Sequence, residues 1–174
     1  GTTDVIQEIT GPHARHVVPL RKYPEVLLTS NVQGGYVTNV SSQYTTYYPY
    51  RAFDGKLTAG DMWSSAKSVY NYTSPWAYTG SANLGTDSGG NATNGGEYIQ
   101  IELPNKILLN RIALCVNRYT GIQAFTLYGS NDGVSWTELL DDALPSSVEY
   151  DNFELRRFDV NTATYYKHFG LVAK

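Results

Sequence analysis

Asp54 and Asp61 stand seven residues apart in the stretch YRAFDGKLTAGDMWSS, residues 50–65, with Gly55, Gly60 and Trp63 around them. Two carboxylates on a glycine-containing loop can cap a turn, hold a hard cation, or serve as an acid and a base. An EF-hand is excluded, because its third and fifth positions need oxygen ligands and its sixth a glycine, where this chain has Lys56, Thr58 and Ala59. Ca²⁺ accepts about six to eight oxygens in loose geometry, so backbone carbonyls with one or two carboxylates would also serve. Spacing alone leaves a calcium loop and a plain Asx turn evenly matched.

Other carboxylates raise the question of glycoside hydrolysis, which needs two acids across a sugar. Asp54 with Asp61, Asp141 with Asp142, and Glu97 with Glu102 are the candidate pairs. Solvated turn acids are common, and no pair carries a motif, so catalysis is disfavoured. The chain also lacks G-x-S-x-G, H-E-x-x-H, the phosphate-binding G-x-x-x-x-G-K-[ST], and a strand followed by G-x-G-x-x-G. His13 and His16 have helical metal-ligand spacing, but Pro12 and Pro19 flank them, so a solvated arm is the better reading. His168 falls in a strand pattern and is expected to be structural. Sequons at Asn39, Asn71 and Asn91 mark expected exposed loops.

The elements that must position these residues are strands. The 174 residues suit one domain, and 15 tyrosines with 16 glycines and many Thr and Ser residues favour strands and turns. Residues 1–23 read as an extended arm in which only DVIQEI has strand character, and the domain proper is expected over residues 24–174. EYIQIEL alternates Ile99, Ile101 and Leu103 against polar partners, and RIALCVN does so with Ile112, Leu114 and Val116. In AFTLYGSNDGVSW, Phe125 and Leu127 lead into an Asn-Asp-Gly hairpin turn, with Trp136 on the return. LRRFDV and YYKHFGLVAK supply two further strands. About eight strands without an amphipathic helix predict an all-β antiparallel sandwich or jelly roll. Residues 66–97 break the rhythm; a loop this long, carrying Tyr70, Tyr72, Trp76 and Tyr78, is expected to be functional at its start and disordered at its end, in GTDSGGNATNGG.

Charge and cysteine content narrow the partners. A net charge of −3 without a basic run gives nucleic acid no electrostatic footprint. No apolar stretch approaches the about 20 residues that a membrane-spanning helix needs, and no signal peptide opens the chain, so a soluble, mature or excised segment is expected. Cys115 stands alone, cannot form an internal disulfide, and is expected to be a buried small hydrophobe.

Taken in order, AFDGKLTAGDMW, GEYIQIELPNKILLNRIAL, FTLYGSNDGVSWTEL, RRFDV and YYKHFGLV resemble the landmarks of a discoidin domain, the coagulation-factor C-type module. They are most similar to its bacterial relatives, the family 32 carbohydrate-binding modules, over residues from about Pro24 to Lys174. The resemblance implies a β-sandwich jelly roll without catalysis, whose loops at one end bind glycans or, in other branches, lipid headgroups and proteins. It implies a structural calcium ion held by the backbone carbonyls of Arg51 and Lys56, the side chain of Asp54 and an oxygen of Asp61, on a loop about two residues longer than usual. It also implies that Arg118 donates to sugar hydroxyls between Asn117 and Tyr119. An aromatic face for the sugar ring would come from Trp76 and Tyr78 or from Tyr70 and Tyr72. His168 and Gly170 depart from the family pattern, and no final-strand glutamate follows to complete the metal shell. The strand-like DVIQEI would then add as the missing edge strand, with Glu8 near the metal.

The function expected from all this is a non-catalytic, lectin-like carbohydrate-binding module that mediates attachment to a cell-surface or cell-wall glycan, in an extracellular or virion-surface setting. The alternative is a structural or adhesion domain of a virion or extracellular assembly whose main role is protein contact. Single sites of this kind bind weakly, so useful attachment favours several copies and hence a homo-oligomer. Tyrosine- and glycine-rich loops, lacking apolar spikes with basic surroundings, argue against a lipid surface.

Overall fold

The computed structural model describes residues 20–58, 60–71, 77–87, 89–117, 122–144 and 153–174. The arm strand expected at DVIQEI, with Glu8, His13 and His16, lies outside them. Within the described residues the strands are β1 (Val32–Gln33), β2 (Tyr36–Val40), β3 (Tyr70–Asn71), β4 (Ala77–Tyr78), β5 (Thr86–Asp87), β6 (Tyr98–Ile107), β7 (Arg111–Cys115), β8 (Ala124–Ser130), β9 (Ser135–Ala143), β10 (Leu155–Asp159) and β11 (Tyr166–Ala173). Two 3-10 turns, Pro49–Phe53 and Lys67–Val69, are the helical elements among them, and no helix is long and apolar enough to cross a membrane.

Seven strands form one sheet in the order β1-β2-β6-β11-β8-β9-β5, and β7 with β10 forms a small antiparallel sheet. All neighbours in the large sheet are antiparallel except β5, which runs parallel to β9. The expected all-β sandwich is therefore what the chain forms. Its inner face follows from the period-2 pattern: Ile99, Ile101 and Leu103 of β6, Phe125 and Leu127 of β8, and Phe169 and Leu171 of β11 are all buried. Ile112, Leu114 and Phe158 of the small sheet pack against them, with Phe53 and Trp63 beside. Each fully buried side chain such as Phe125 or Leu28 contributes roughly 1.5–3 kcal/mol relative to exposure.

The Asn-Asp-Gly turn forms as expected between β8 and β9. Gly133 takes φ +73°, and Asp132 Oδ1 accepts the backbone N–H groups of Val134 at 2.9 Å and Ser135 at 2.8 Å. These two donors, with the Ser130 hydroxyl, hold the Asp132 carboxyl well below the usual carboxylate range. Trp136 follows at 1% exposure. Cys115 differs from expectation: it is only half-buried, because it alternates with the inward Leu114, and its Sγ donates to the Phe153 carbonyl at 3.1 Å. Burial pushes the thiol pKa up.

The second half of the 66–97 segment departs furthest from expectation, since its described residues pack on the sheet where disorder was expected. Leu84, Tyr128, Trp136 and Val172 form a buried cluster, with Tyr98 packed against it. Tyr128 pairs with Gly170, whose neighbour two residues on is Val172, so the cluster lies on the outer face of the large sheet. Hydrogen bonds fix the cover in place: Thr93 Oγ1 accepts Leu84 N–H at 3.1 Å, the Tyr128 hydroxyl accepts Asn94 N–H at 3.2 Å, and Asn94 Nδ2 donates to Thr126 Oγ1 at 3.1 Å. Periodicity missed the segment because one leucine, a set of side-chain bonds and the two-residue strand β5, too short to show alternation, attach it. Gly170, a departure from the family pattern, is explained by the same contact, since a Cβ there would overlap Leu84 Cδ2. Gly170→Ala is therefore expected to destabilise the domain by about 1–3 kcal/mol in denaturant unfolding. Combined with Leu84→Ala, the loss should be less than additive.

Candidate functional site

One end of the sandwich collects the loops that carry the described candidates Asn117, Tyr70 and Tyr78. Val40 of β2 pairs with Ile99, Tyr98 of β6 with Val172, Ala173 of β11 with Phe125, and Ala124 of β8 with Ala143. The segments after β2 and β7, and those before β6 and β8, therefore emerge side by side. Asn117 lies two residues beyond β7 and is half-buried at this end. Arg118 and Tyr119 beside it, and Tyr72 and Trp76, lie outside the described residues.

Tyr70 and Tyr78 face each other across the β3–β4 pair, with ring centroids 5.3 Å apart and planes tilted by 55°. Their hydroxyls are turned inward. Tyr70 donates to the Ala173 carbonyl at 3.4 Å, while Tyr78 donates to Glu97 Oε1 at 3.1 Å and accepts Ala82 N–H at 2.8 Å. Burial, with the adjacent Glu97 carboxyl, pushes the Tyr78 phenol up in pKa. The sequence reading offered both tyrosines as sugar contacts; in the structure their polar ends anchor the loop to the sandwich.

Glu97 is the group to which Tyr78 is anchored. It is 2% exposed and accepts the hydroxyls of Ser41 at 2.7 Å, Ser42 and Tyr78. Ser41 Oγ in turn accepts Tyr98 N–H, Ser42 Oγ accepts Ala66 N–H, and the Ser42 carbonyl accepts the Trp63 indole N–H at 3.0 Å. One buried carboxyl thus joins four separate segments. A signal for it existed in GEYIQIEL, where Glu97 shares the register of Ile99 and Ile101. As a catalytic pair Glu97 and Glu102 are excluded: Glu102 lies on the opposite parity, paired to Lys167 at 2.6 Å. Asp141 and Asp142 are likewise on opposite faces; Asp141 accepts from Thr126 and Lys174, and Asp142 Oδ1 from Ala143 N–H.

A second aromatic surface at this end went unnoticed in the sequence. Tyr44 and Tyr47 stack with centroids 6.0 Å apart and planes 24° from parallel, and Lys67 Nζ sits 4.4 Å from the Tyr44 ring centroid. Tyr44 N–H donates to the Ser64 carbonyl, which fixes this pair beside the Trp63 segment. Tyrosines three residues apart in a loop were the available signal. Tyr48 and Tyr50 form a further stack at 5.9 Å.

The loop of Asp54 and Asp61 lies elsewhere, where Leu28 N–H reaches the Phe53 carbonyl and Leu27 packs on Gly55. Its side chains pair with one another. Lys56 Nζ stands between the carboxylates, 3.2 Å from Asp61 Oδ1 and 4.0 Å from Asp54 Oδ2. Asp54 Oδ1 already accepts Lys56 N–H at 2.9 Å, and Asp61 Oδ2 the Thr58 hydroxyl at 3.0 Å. The Lys56 ammonium and the Thr58 hydroxyl hold the Asp61 carboxyl below the usual range. Among the described residues no group of three or more His, Cys, Asp or Glu side chains gathers to hold a metal.

His168 lines a groove of about 230 Å³ on the outer sheet face with Val37, Asn39, Gln100, Glu102 and Gly133. Burial lowers its pKa, against an opposing pull from Glu102, a further lowering by Lys167 and a raising by Asp132. Gly133 faces the imidazole, and a Cβ at that position would make ordinary van der Waals contact with it at 3.5 Å. Because the neutral imidazole is favoured in the folded state, its contribution is full above the unfolded value of 6.5 and is lost as pH falls below it. The pH dependence of Tm below neutrality should accordingly flatten in His168→Gln.

No family model matches the sequence, and no curated protein matches it either. Solved structures do match in fold. A family 32 carbohydrate-binding module from NanJ of C. perfringens, in complex with galactose, aligns at TM-score 0.52 and 14% identity over 80% of this chain and 82% of that one. Another from Clostridium perfringens, in complex with GalNAc-beta-1,3-galactose, aligns at 0.52 and 17% over 80% and 84%. Allantoicase of Saccharomyces cerevisiae aligns at 0.54 and 14% over 80% of this chain but 36% of its own. At these identities the likeness is one of fold: the chain has the discoidin-like sandwich of the family 32 modules.

Glu97→Leu is expected to cost about 3 kcal/mol or more, because it removes the acceptor shared by three half-buried hydroxyls at once. That corresponds to a Tm lower by roughly 6–12 °C, measured by calorimetry. Glu102→Gln, on the open face, should change Tm by much less.

Proposed function

We propose that this domain is a non-catalytic carbohydrate-binding module that attaches a larger protein or particle to a glycan surface outside the cell or on a virion. The observation that carries the reading is the gathering of aromatic and amide-bearing loops at one end of a sandwich whose fold is shared with sugar-binding modules. Tyr44, Tyr47 and Lys67 offer a ring face with a donor beside it. Asn117 opens the neighbouring loop, in which the family resemblance assigns Arg118 to sugar hydroxyls. A pyranose has one apolar face and polar edges, so stacking on a ring with a guanidinium or amide at the edge satisfies both. Tyr70, Tyr78 and the Glu97 hub hold the loops in place, and Trp76, Tyr72 and Tyr119 are the further aromatics proposed for contact.

The disposition of carboxylates supports the non-catalytic reading, since none of the candidate pairs faces a shared opening. A second reading, adhesion through protein contact within an assembly, is favoured by the exposed Val26, Leu27, Val32 and Leu57 around the β1 edge. The two readings separate on a glycan array of galactose- and GalNAc-terminated ligands. Binding that falls about tenfold or more in Arg118→Ala and in Tyr44→Ala supports the first reading. No binding to any glycan, together with a stable oligomer in sedimentation, supports the second. Turnover of a chromogenic glycoside would overturn both.

A further inference from the structure

The loop carrying Asp54 and Asp61 contains its own cation. We propose that the Lys56 ammonium takes the place that the family resemblance gives to calcium, so that this loop is stapled by an intramolecular ion pair and the domain is stable without metal. The geometry places Lys56 Nζ against both carboxylates, at 3.2 Å from Asp61 and 4.0 Å from Asp54. The staple closes a short ring, because the backbone N–H of the same lysine donates to Asp54 Oδ1. Lys56 thus contacts Asp54 at both ends, and reaches forward to Asp61 at its tip.

Three further features oppose a divalent ion. The Arg51 guanidinium donates to the Gly60 carbonyl, so a second positive charge lies on the loop and an oxygen that could have faced a metal is engaged. Two carboxylates face two cationic side chains, which leaves no net negative charge to draw a dication. The space beside Asp54, about 280 Å³, is walled by Leu27, Leu28, Thr29, Tyr50 and Lys56, and Asp54 is its one carboxylate. Ca²⁺ needs about six to eight oxygens, and the rest of this lining adds the hydroxyls of Thr29 and Tyr50 and backbone carbonyls but no second carboxylate. The two extra residues of this loop have a physical use in the same picture, since they bring Asp61 within reach of the lysine tip. Asp54 is 8% exposed, so its carboxylate requires a partner, whereas Lys56 is 60% exposed at its side chain and keeps its remaining donors in water.

The test is thermal unfolding of the full chain in EDTA and in millimolar calcium, for wild type and for Lys56→Met, which keeps the aliphatic stem and removes the charge. The proposal expects a wild-type Tm that is the same in both buffers and a variant Tm lower by roughly 2–4 °C in EDTA. Asp61→Asn is expected to give a similar loss, and the double variant less than the sum of the two. A wild-type Tm that rises by several degrees on adding calcium would overturn the proposal. So would a Lys56→Met variant as stable in EDTA as the wild type. Lys106→Met, on an exposed strand position, controls for loss of a surface charge alone.

Discussion

A carboxyl group buried beneath three hydroxyls holds the working end of this domain together. Glu97 sits at the entrance to β6, and the chain reaches it from the loop after β2, from the Trp63 segment through Ser42, and from the β3–β4 pair through Tyr78. A buried acid without partners costs several kcal/mol, so these donors cannot leave independently. The consequence is geometric. Loops that share no regular secondary structure are held in one arrangement, and the aromatic side chains they carry keep fixed positions relative to one another.

The large sheet supplies the platform on which that hub is built. It is buried on its inner face and covered on its outer face only over part of β8 and the C-terminal half of β11, while the β2–β6 side stays open beside Glu102. Ile99, Phe125 and Leu171 meet the small β7–β10 sheet inside, while Leu84 closes over Gly170 and Val172 outside. With both faces of β11 covered at its C-terminal half, polar chemistry is left to the strand ends and to the narrow groove beside His168. Ligand binding by loops at one end of the sandwich is the outcome this architecture leaves open.

Loop closure by a lysine and loop closure by a metal solve the same electrostatic problem differently. A metal ion brings two charges and an exacting oxygen shell, and its binding depends on the medium. An ammonium on the same loop brings one charge at fixed effective concentration, and it asks for no further ligands. The carboxylates of Asp54 and Asp61 accept either in principle, which explains why their spacing could not distinguish the two. Under the proposal it is Lys56 and Arg51 that tip the balance by position, and positions of long side chains are set only in the folded loop.

Much of the sandwich was legible beforehand, because period-2 alternation is a local property: Ile99-Ile101-Leu103 and the Asn-Asp-Gly hairpin ending on Trp136 need no distant information. The outer cover was not legible, since Leu84 is one apolar residue whose partner, Gly170, lies in the last strand. Nor was the role of Glu97 or of Tyr70 and Tyr78, since an acid or a tyrosine in a loop reads as exposed until its partners are brought to it from 19 to 103 residues away. The sequence by itself determined which faces are apolar and where the chain turns, because these depend on neighbours along the chain. Only tertiary structure decided which polar groups are buried together, because that depends on which segments the sheet order makes neighbours in space.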